Sequence, residues 1–395
     1  MPGFAEYDSY DALGLAELVR TGQVSSAELV AECISRIERV NPQINSVVFE
    51  LFEAARARSS GDLGDGPFAG VPFLVKDLIQ RIPGVPTQEG SRFFEGWTPT
   101  RATTLYRRWL DAGVVPVAKT ATHGPDETTP YFAAPIDGTF LGATESDPRP
   151  LRIAFHSEPP LPATVHPDCR AAVEDAAQLC AELGHHVEEV APGHDAPTLG
   201  RAFLLVVATN IATDIREGEQ LRRRRATSKD FQLTTWTARM LGEAVSAQDF
   251  LVSLRALQTE ARRLVDVYRG YDLVLTPTLG TPPARIGELQ PSGADRLAQK
   301  VIAALNWKAP LSSTKLIDQA AQSTYSFIPF SPVANFTGQP SMSVPLYWSA
   351  EGLPIGVMFT GHPAEETRMF SLAAQLERAR PWRDRRPPVY AGNKN

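Results

Sequence analysis

Residues 151–190 run LRIAFHSEPPLPATVHPDCRAAVEDAAQLCAELGHHVEEV and change hydrophobic period twice. Leu151 to Phe155 is a short apolar run of the length of a buried strand. From about Asp168 to Leu183 the apolar residues return at helical spacing, and Gly184 follows as a stop. His185 to Val190 then reads as a second strand. Strand, helix, strand is the unit from which a sheet with helices on its faces is assembled.

The same alternation extends in both directions. Downstream come long helical stretches, Thr198 to Arg223 and Ala247 to Tyr268, and a buried strand, Asp272 to Thr276, closed by Pro277. Two late strands, Met342 to Leu346 and Ile355 to Thr360, lead to a last helix from Glu365 to Arg378. Upstream, Asp11 to Arg20 is helical. Ser25 and Glu28 form a capping-box pattern that opens a helix to about Val40, where Asn41-Pro42 should stop it. Glu50 to Arg58 resumes helical spacing. Gly70 to Asp77, GVPFLVKD, reads as a buried strand behind Gly and Pro, and Thr103 to Ala112 as a helix ended by Gly113. Val114 to Ala118 is another strand. The pattern predicts an α/β fold with a mostly covered sheet.

Composition narrows the function classes. The 395 residues would admit two or three domains by length alone. With 39 basic against 45 acidic residues, the net charge of -6 argues against a nucleic-acid binder, and the Arg222 to Arg225 run reads as a solvated helix end. No apolar run of about 18 residues suggests a membrane span, and the N-terminus does not read as a secretory signal. Cys33, Cys169 and Cys180 offer neither a disulfide framework nor zinc spacing, so a reducing, cytoplasmic compartment is expected. His185 and His186 could be metal ligands. The reading preferred is an exposed turn and the first residue of a strand.

Lys76 stands out because it ends the apolar run VPFLVKD. An ammonium there is partly desolvated, which lowers a lysine pKa and favours a general base. The competing reading is an ion pair with Asp77 or another carboxylate. Ser91, Thr120 and Thr122 are the hydroxyls that could approach Lys76 as nucleophiles or line its site; turn and strand-end roles are the alternatives for all three. Lys119 is a second buried amine or a strand-end ion pair. Asn335 in NFTGQP reads as part of a turn before a strand, and TPTLGTPPARIGE, from Thr276, as a loop bordering a cleft.

GVPFLVKD, the following Thr87-Gln88-Glu89-Gly90-Ser91, TLYRRWLDAGVVPVAKTAT, LRIAF, DLVLTPTLGTPPARIGE and FSPVANFTGQPSMSVPLYWSAEGLPIGVMFTG together resemble the amidase signature family, in one order over nearly the whole chain. Among its subgroups the sequence looks most similar to hydrolases of small or cyclic amides. The resemblance implies a single domain over residues 1–395 with a mixed, mostly covered central sheet flanked by helices. It implies hydrolysis of carboxamide bonds through an acyl-enzyme, with a small-molecule amide as substrate, no metal or organic cofactor, and no nucleic-acid or membrane partner. Family members use a Ser–Ser–Lys triad and backbone N–H groups that hold the oxyanion. Lys76 matches the family lysine.

The serines have no match. The family signature is a run of the Gly-Gly-Ser-Ser-Gly-Gly type, and this chain contains no Gly-Gly dipeptide. After Lys119-Thr120-Ala121-Thr122-His123 the sequence passes to GPDETTPYFAAPIDGTF, which resembles the family segment beyond the signature. The comparison places an internal deletion near His123-Gly124 that removes part of the central core, both serines and the oxyanion turn. Two expectations follow: an amide hydrolase reduced to Lys76 with a recruited nucleophile, or a non-catalytic homologue that binds a small molecule or protein partner. Loss of sheet and helix also leaves an apolar gap that a second copy of the chain could cover.

Overall fold

The computed structural model describes residues 4, 6–78, 80–120, 139–285, 287–289, 293–305 and 313–387. The helices are α1 (Ala12–Arg20), α2 (Ser26–Ile44), α3 (Phe52–Ser59), α4 (Thr104–Asp111), α5 (Phe140–Thr144), α6 (Pro167–Glu182), α7 (Ala196–Arg222), α8 (Leu233–Ala244), α9 (Ala247–Val267), α10 (Gly293–Leu305), α11 (Thr314–Tyr325), α12 (Pro332–Thr337) and α13 (Glu366–Ala379). The strands are β1 (Val47–Glu50), β2 (Pro72–Lys76), β3 (Val115–Thr120), β4 (Arg152–Phe155), β5 (His186–Glu189), β6 (Leu273–Pro277), β7 (Ser341–Trp348) and β8 (Pro354–Gly361). They fall into two compact units. The first comprises Met1–Tyr131, Arg222–Phe231 and Arg385–Asn395, and the second Phe132–Leu221 and Gln232–Asp384.

The first unit is built on a three-stranded sheet in the order β1-β3-β2, with β1 antiparallel and β2 parallel to β3. Val30, Ile34 and Ile37 of α2 pack with Ala55 of α3 against Val115, Val117 and Ala118 of β3. The predicted capping box is present: the Glu28 N–H donates to Ser25 Oγ and the Ser25 N–H to Glu28 Oε2. The helix does not stop at Val40. It carries Pro42 within its final turn to Ile44, where Asn45 ends it in the left-handed region at φ 47°. Asn41 fixes this exit, its side chain bonding both the N–H and the carbonyl of Val47. Gly113 follows α4 as expected, at φ +92°, and a Cβ there would meet the Ala69 backbone at 2.6 Å.

β2 departs from the expected buried strand. Only Val75 is fully buried, and Leu74 is 40% exposed. Among the described residues β2 pairs on one side alone, with β3, so it is an edge strand. The central strand is β3, where Val115, Val117, Ala118 and Lys119 are all fully buried.

The second unit holds a five-stranded mixed sheet, β5-β4-β6-β8-β7. β5, β4 and β6 run parallel; β8 is antiparallel to both β6 and β7. Strand alternation divides its side chains between two faces. Ile153, Leu273 and Leu275 meet α6 and α13 on one face, while Ala154 and Val274 meet Leu264 and Tyr268 on the other. Both faces are covered, as the α/β class requires. α7 is long and apolar enough to cross a membrane by length and composition, but in this fold its Leu199, Ala202, Leu204 and Ala208 enter a helical core with Leu241, Leu257 and Tyr325.

His185 corrects the sequence reading. It is buried rather than exposed: its Nδ1 accepts the Leu151 N–H at 3.1 Å and its Nε2 faces Gln375 Oε1 at 2.9 Å. An Nδ1 that accepts leaves the proton on Nε2, so the ring is a neutral tautomer tying β4 to α13. His186, the first residue of β5, is exposed as expected.

Candidate active site

β2 and β3 run side by side in the same direction, so their C-terminal ends open together, the usual ligand side of a parallel sheet. Their register pairs Val75 with Lys119 and Lys76 with Thr120. The Asp77 N–H continues the ladder by donating to the Thr120 carbonyl at 2.7 Å. Neighbouring strands lie about 4.8 Å apart, so Lys76 and Thr120 stand next to each other at the strand ends. Both are half-buried.

Below them lies a fully buried cation. Lys119 is 0% exposed, and its Nζ lies 2.5 Å from Asp77 Oδ1, 2.9 Å from Thr87 Oγ1 and 3.2 Å from the Pro86 carbonyl. An ammonium has three N–H donors, and here each finds an acceptor. Asp77 also accepts the Gln88 N–H at 3.2 Å. A buried ion pair is tolerated when its remaining hydrogen-bonding capacity is filled, and this one is. The pair holds the 86–88 segment against the end of β2. The sequence left Lys119 between a free amine and an ion pair; the structure selects the ion pair. The identity of its partner depends on a loop returning to the strand, which periodicity does not reveal.

Ser91 has a structural setting. It caps the short helical turn Arg92–Phe94, its Oγ accepting the Phe93 N–H at 3.1 Å and donating to the Asp230 carbonyl at 2.8 Å. Thr122 and the His123-Gly124 junction lie outside the described residues. The cysteines offer no reactive thiolate. Burial pushes Cys33 and Cys169 each up to about 11 and Cys180 up to about 12. In the second unit, Asn335 lies inside α12, which Gly338 ends at φ +72°, and the stretch 281–285 lines an open depression of about 330 Å³ with Glu288 and Phe327. The groups brought together are therefore Lys76 and Thr120, supported by Lys119, Asp77, Thr87 and Gln88.

Comparison with known proteins bears on the family and the fold. The family model described as Amidase matches residues 28–124 and 121–370. A 6-aminohexanoate-cyclic-dimer hydrolase of Pseudomonas sp. (strain NK87) is 26% identical over 96% of this chain and 96% of its own. The structure of a 6-aminohexanoate cyclic dimer hydrolase superposes with a TM-score of 0.80 at 22% identity, covering 97% of this chain and 99% of that one. A bacterial aryl acylamidase of the amidase signature family superposes with a TM-score of 0.76 at 18% identity, covering 96% and 99%. The chain belongs to the amidase family.

Proposed function

We propose that this chain hydrolyses the carboxamide bond of small amides in the cytoplasm, with Lys76 as the proton acceptor and Thr120 as the attacking hydroxyl. The pairing of Lys76 with Thr120 across β2 and β3 carries this reading. In the first step the Lys76 amine takes the Thr120 hydroxyl proton while the oxygen bonds to the carbonyl carbon. The C–N bond then breaks as the leaving amine takes that proton, and water hydrolyses the resulting ester. Relatives named 6-aminohexanoate-cyclic-dimer hydrolase and lipoamidase, and a related structure described as complexed with substrate, support a small-molecule amide as the substrate class.

A second reading is favoured by a different observation. The family match comes in two pieces that meet at residues 121–124, and the alignment with the Mycobacterium leprae relative spans 479 residues against a chain of 395. Part of the relative's length thus has no counterpart in this chain, and together with the break in the family match this supports an internal loss at His123-Gly124 from one amidase-like domain. With the signature serines in that block, the chain becomes a homologue that binds amides or a protein partner without cleaving them. One experiment separates the readings: release of amine or ammonia from linear, aryl and cyclic amides, with Lys76→Ala in parallel. Turnover that vanishes in the variant supports hydrolysis. A folded wild-type protein with no turnover on any amide supports binding alone.

A further inference from the structure

The loop that follows β2 carries a cation that the chemistry above does not use. The Arg81 guanidinium lies over the Trp97 ring, its carbon 5.3 Å from the ring centroid. Its Nε is buried with no hydrogen-bond partner, and no ion pair to Arg81 is found among the described residues. A second guanidinium reaches the same turn: Arg222 donates to the Glu95 carbonyl at 3.1 Å, while its Nε is buried without an acceptor. The third, Arg224, lies over Phe93 and has a carboxylate partner in Asp230. Positive charge is therefore in surplus around residues 93–97. Water can meet a lone N–H, but it does not balance a charge, and an anion does both.

The turn is fixed in place and tied to the candidate base. The Arg81 carbonyl accepts the Thr103 N–H at 3.2 Å, and the next residue, Ile82, is buried. The Trp97 carbonyl accepts the Thr87 N–H at 3.2 Å, and Thr87 Oγ1 accepts from Lys119 Nζ at 2.9 Å. Arg81 and Trp97 are thus joined through Thr87 to the Lys119–Asp77 pair beside Lys76. In the chain, Arg81 stands five residues after Lys76, which keeps their Cα atoms within about 18 Å of each other. That span is within reach of a small molecule held at Lys76 and Thr120.

The chemistry of the group at Arg81 follows from the guanidinium. It is planar and always charged, and its paired N–H donors match the two oxygens of a carboxylate. With Nε buried, the two terminal nitrogens are the edge left for a ligand. Packing over Trp97 holds that edge in position, so little side-chain freedom is lost on binding. This step rests on the reading that amides bind at Lys76 and Thr120. We infer that Arg81, seated over Trp97, selects among them by binding a carboxylate carried on the substrate, so that the preferred substrates are amides bearing a free acid group.

The test follows the Arg81 Nε–H by ¹H–¹⁵N NMR in the intact protein near pH 7, with turnover of the same compounds measured separately. The probes are adipamate, an amide with a carboxylate at its far end, and hexanamide, a neutral amide of the same length. Adipamate is expected to move the Arg81 signal saturably and hexanamide to leave it in place. Arg81→Gln should weaken adipamate binding about tenfold or more, the scale of one charge-assisted hydrogen bond. Equal responses to the two amides would overturn the inference, as would an unmoved signal. A shift as large with acetate or inorganic phosphate would overturn it too, because the arginine would then be a general anion site. A saturable adipamate shift without turnover counts against hydrolysis and leaves the carboxylate site standing; turnover of both amides with an unmoved Arg81 signal does the reverse. The comparison of probes on the wild-type protein decides the matter even if the variant does not fold.

Discussion

Lys119 Nζ and Asp77 Oδ1 lie 2.5 Å apart in the interior of the first unit, the lysine 0% exposed and the aspartate 7%. Asp77 directly follows Lys76, so the candidate base is anchored through its neighbour to the strand beside it. Removing one member leaves the other charged and buried. Lys119→Met should lower stability by roughly 3–5 kcal/mol in urea denaturation, and replacing Asp77 by Leu in the same chain should return much of it. A loss below about 1 kcal/mol, the range of exposed pairs, would rule out a buried anchor.

Thr120→Val removes the hydroxyl opposite Lys76 and keeps the branched shape of the side chain. If Thr120 is the nucleophile, this change and Lys76→Ala should each remove amide turnover while circular dichroism stays that of the wild type. Loss of the base alone is expected to cost about 10²–10⁴-fold. Full activity in Thr120→Val would exclude the attacking role.

Ser91→Ala tests the competing hydroxyl. The cap on Phe93 and the bond to Asp230 predict a stability loss of about 1 kcal/mol with turnover unchanged. An acyl adduct found on Ser91 by mass spectrometry would show instead that the serine is recruited for chemistry.

The pH dependence of stability should carry the signature of His156. Burial, followed by the neighbouring His194, lowers its pKa from 6.5 to about 4. Between those values the unfolded chain binds a proton that the folded chain refuses, so stability rises with pH across this window and falls as pH drops through it. The full difference is about 3 kcal/mol by the usual conversion. His194 is shifted in the same direction by burial, whereas Glu158 and Glu260 have lowered carboxyl pKa values and weaken the fold only at more acid pH. Thermal unfolding midpoints from pH 4 to 7 should flatten in His156→Phe. An unchanged slope would assign the effect elsewhere.

The fold was legible where period and length agree. Residues 151–190 become β4, α6 and β5 within a residue or two of the expected bounds, because the helix carries buried Cys169, Ala172, Val173, Ala176 and Cys180 on one face. Four-residue β1 was missed between two helices, too short to show alternation. α8 was also missed, since only Trp236, Met240, Leu241 and Gly242 of it are buried. β2 was misjudged because an apolar run does not reveal how many neighbours a strand has. Of the candidate site, Lys76 and its strand were legible, and so was the lysine at the end of β3. The register that sets Thr120 beside Lys76, and the return of Pro86 and Thr87 to Lys119, depend on contacts between distant segments.

Cys169 and Cys180 lie buried on α6, beneath the five-stranded sheet, with their thiols held protonated. Iodoacetamide reacts with thiolates, so it should not label them while that helix stays seated. Their alkylation rate in native buffer therefore reads how often α6 lifts from the sheet. The protein thus carries its own chemical probe of local opening, with no engineered label.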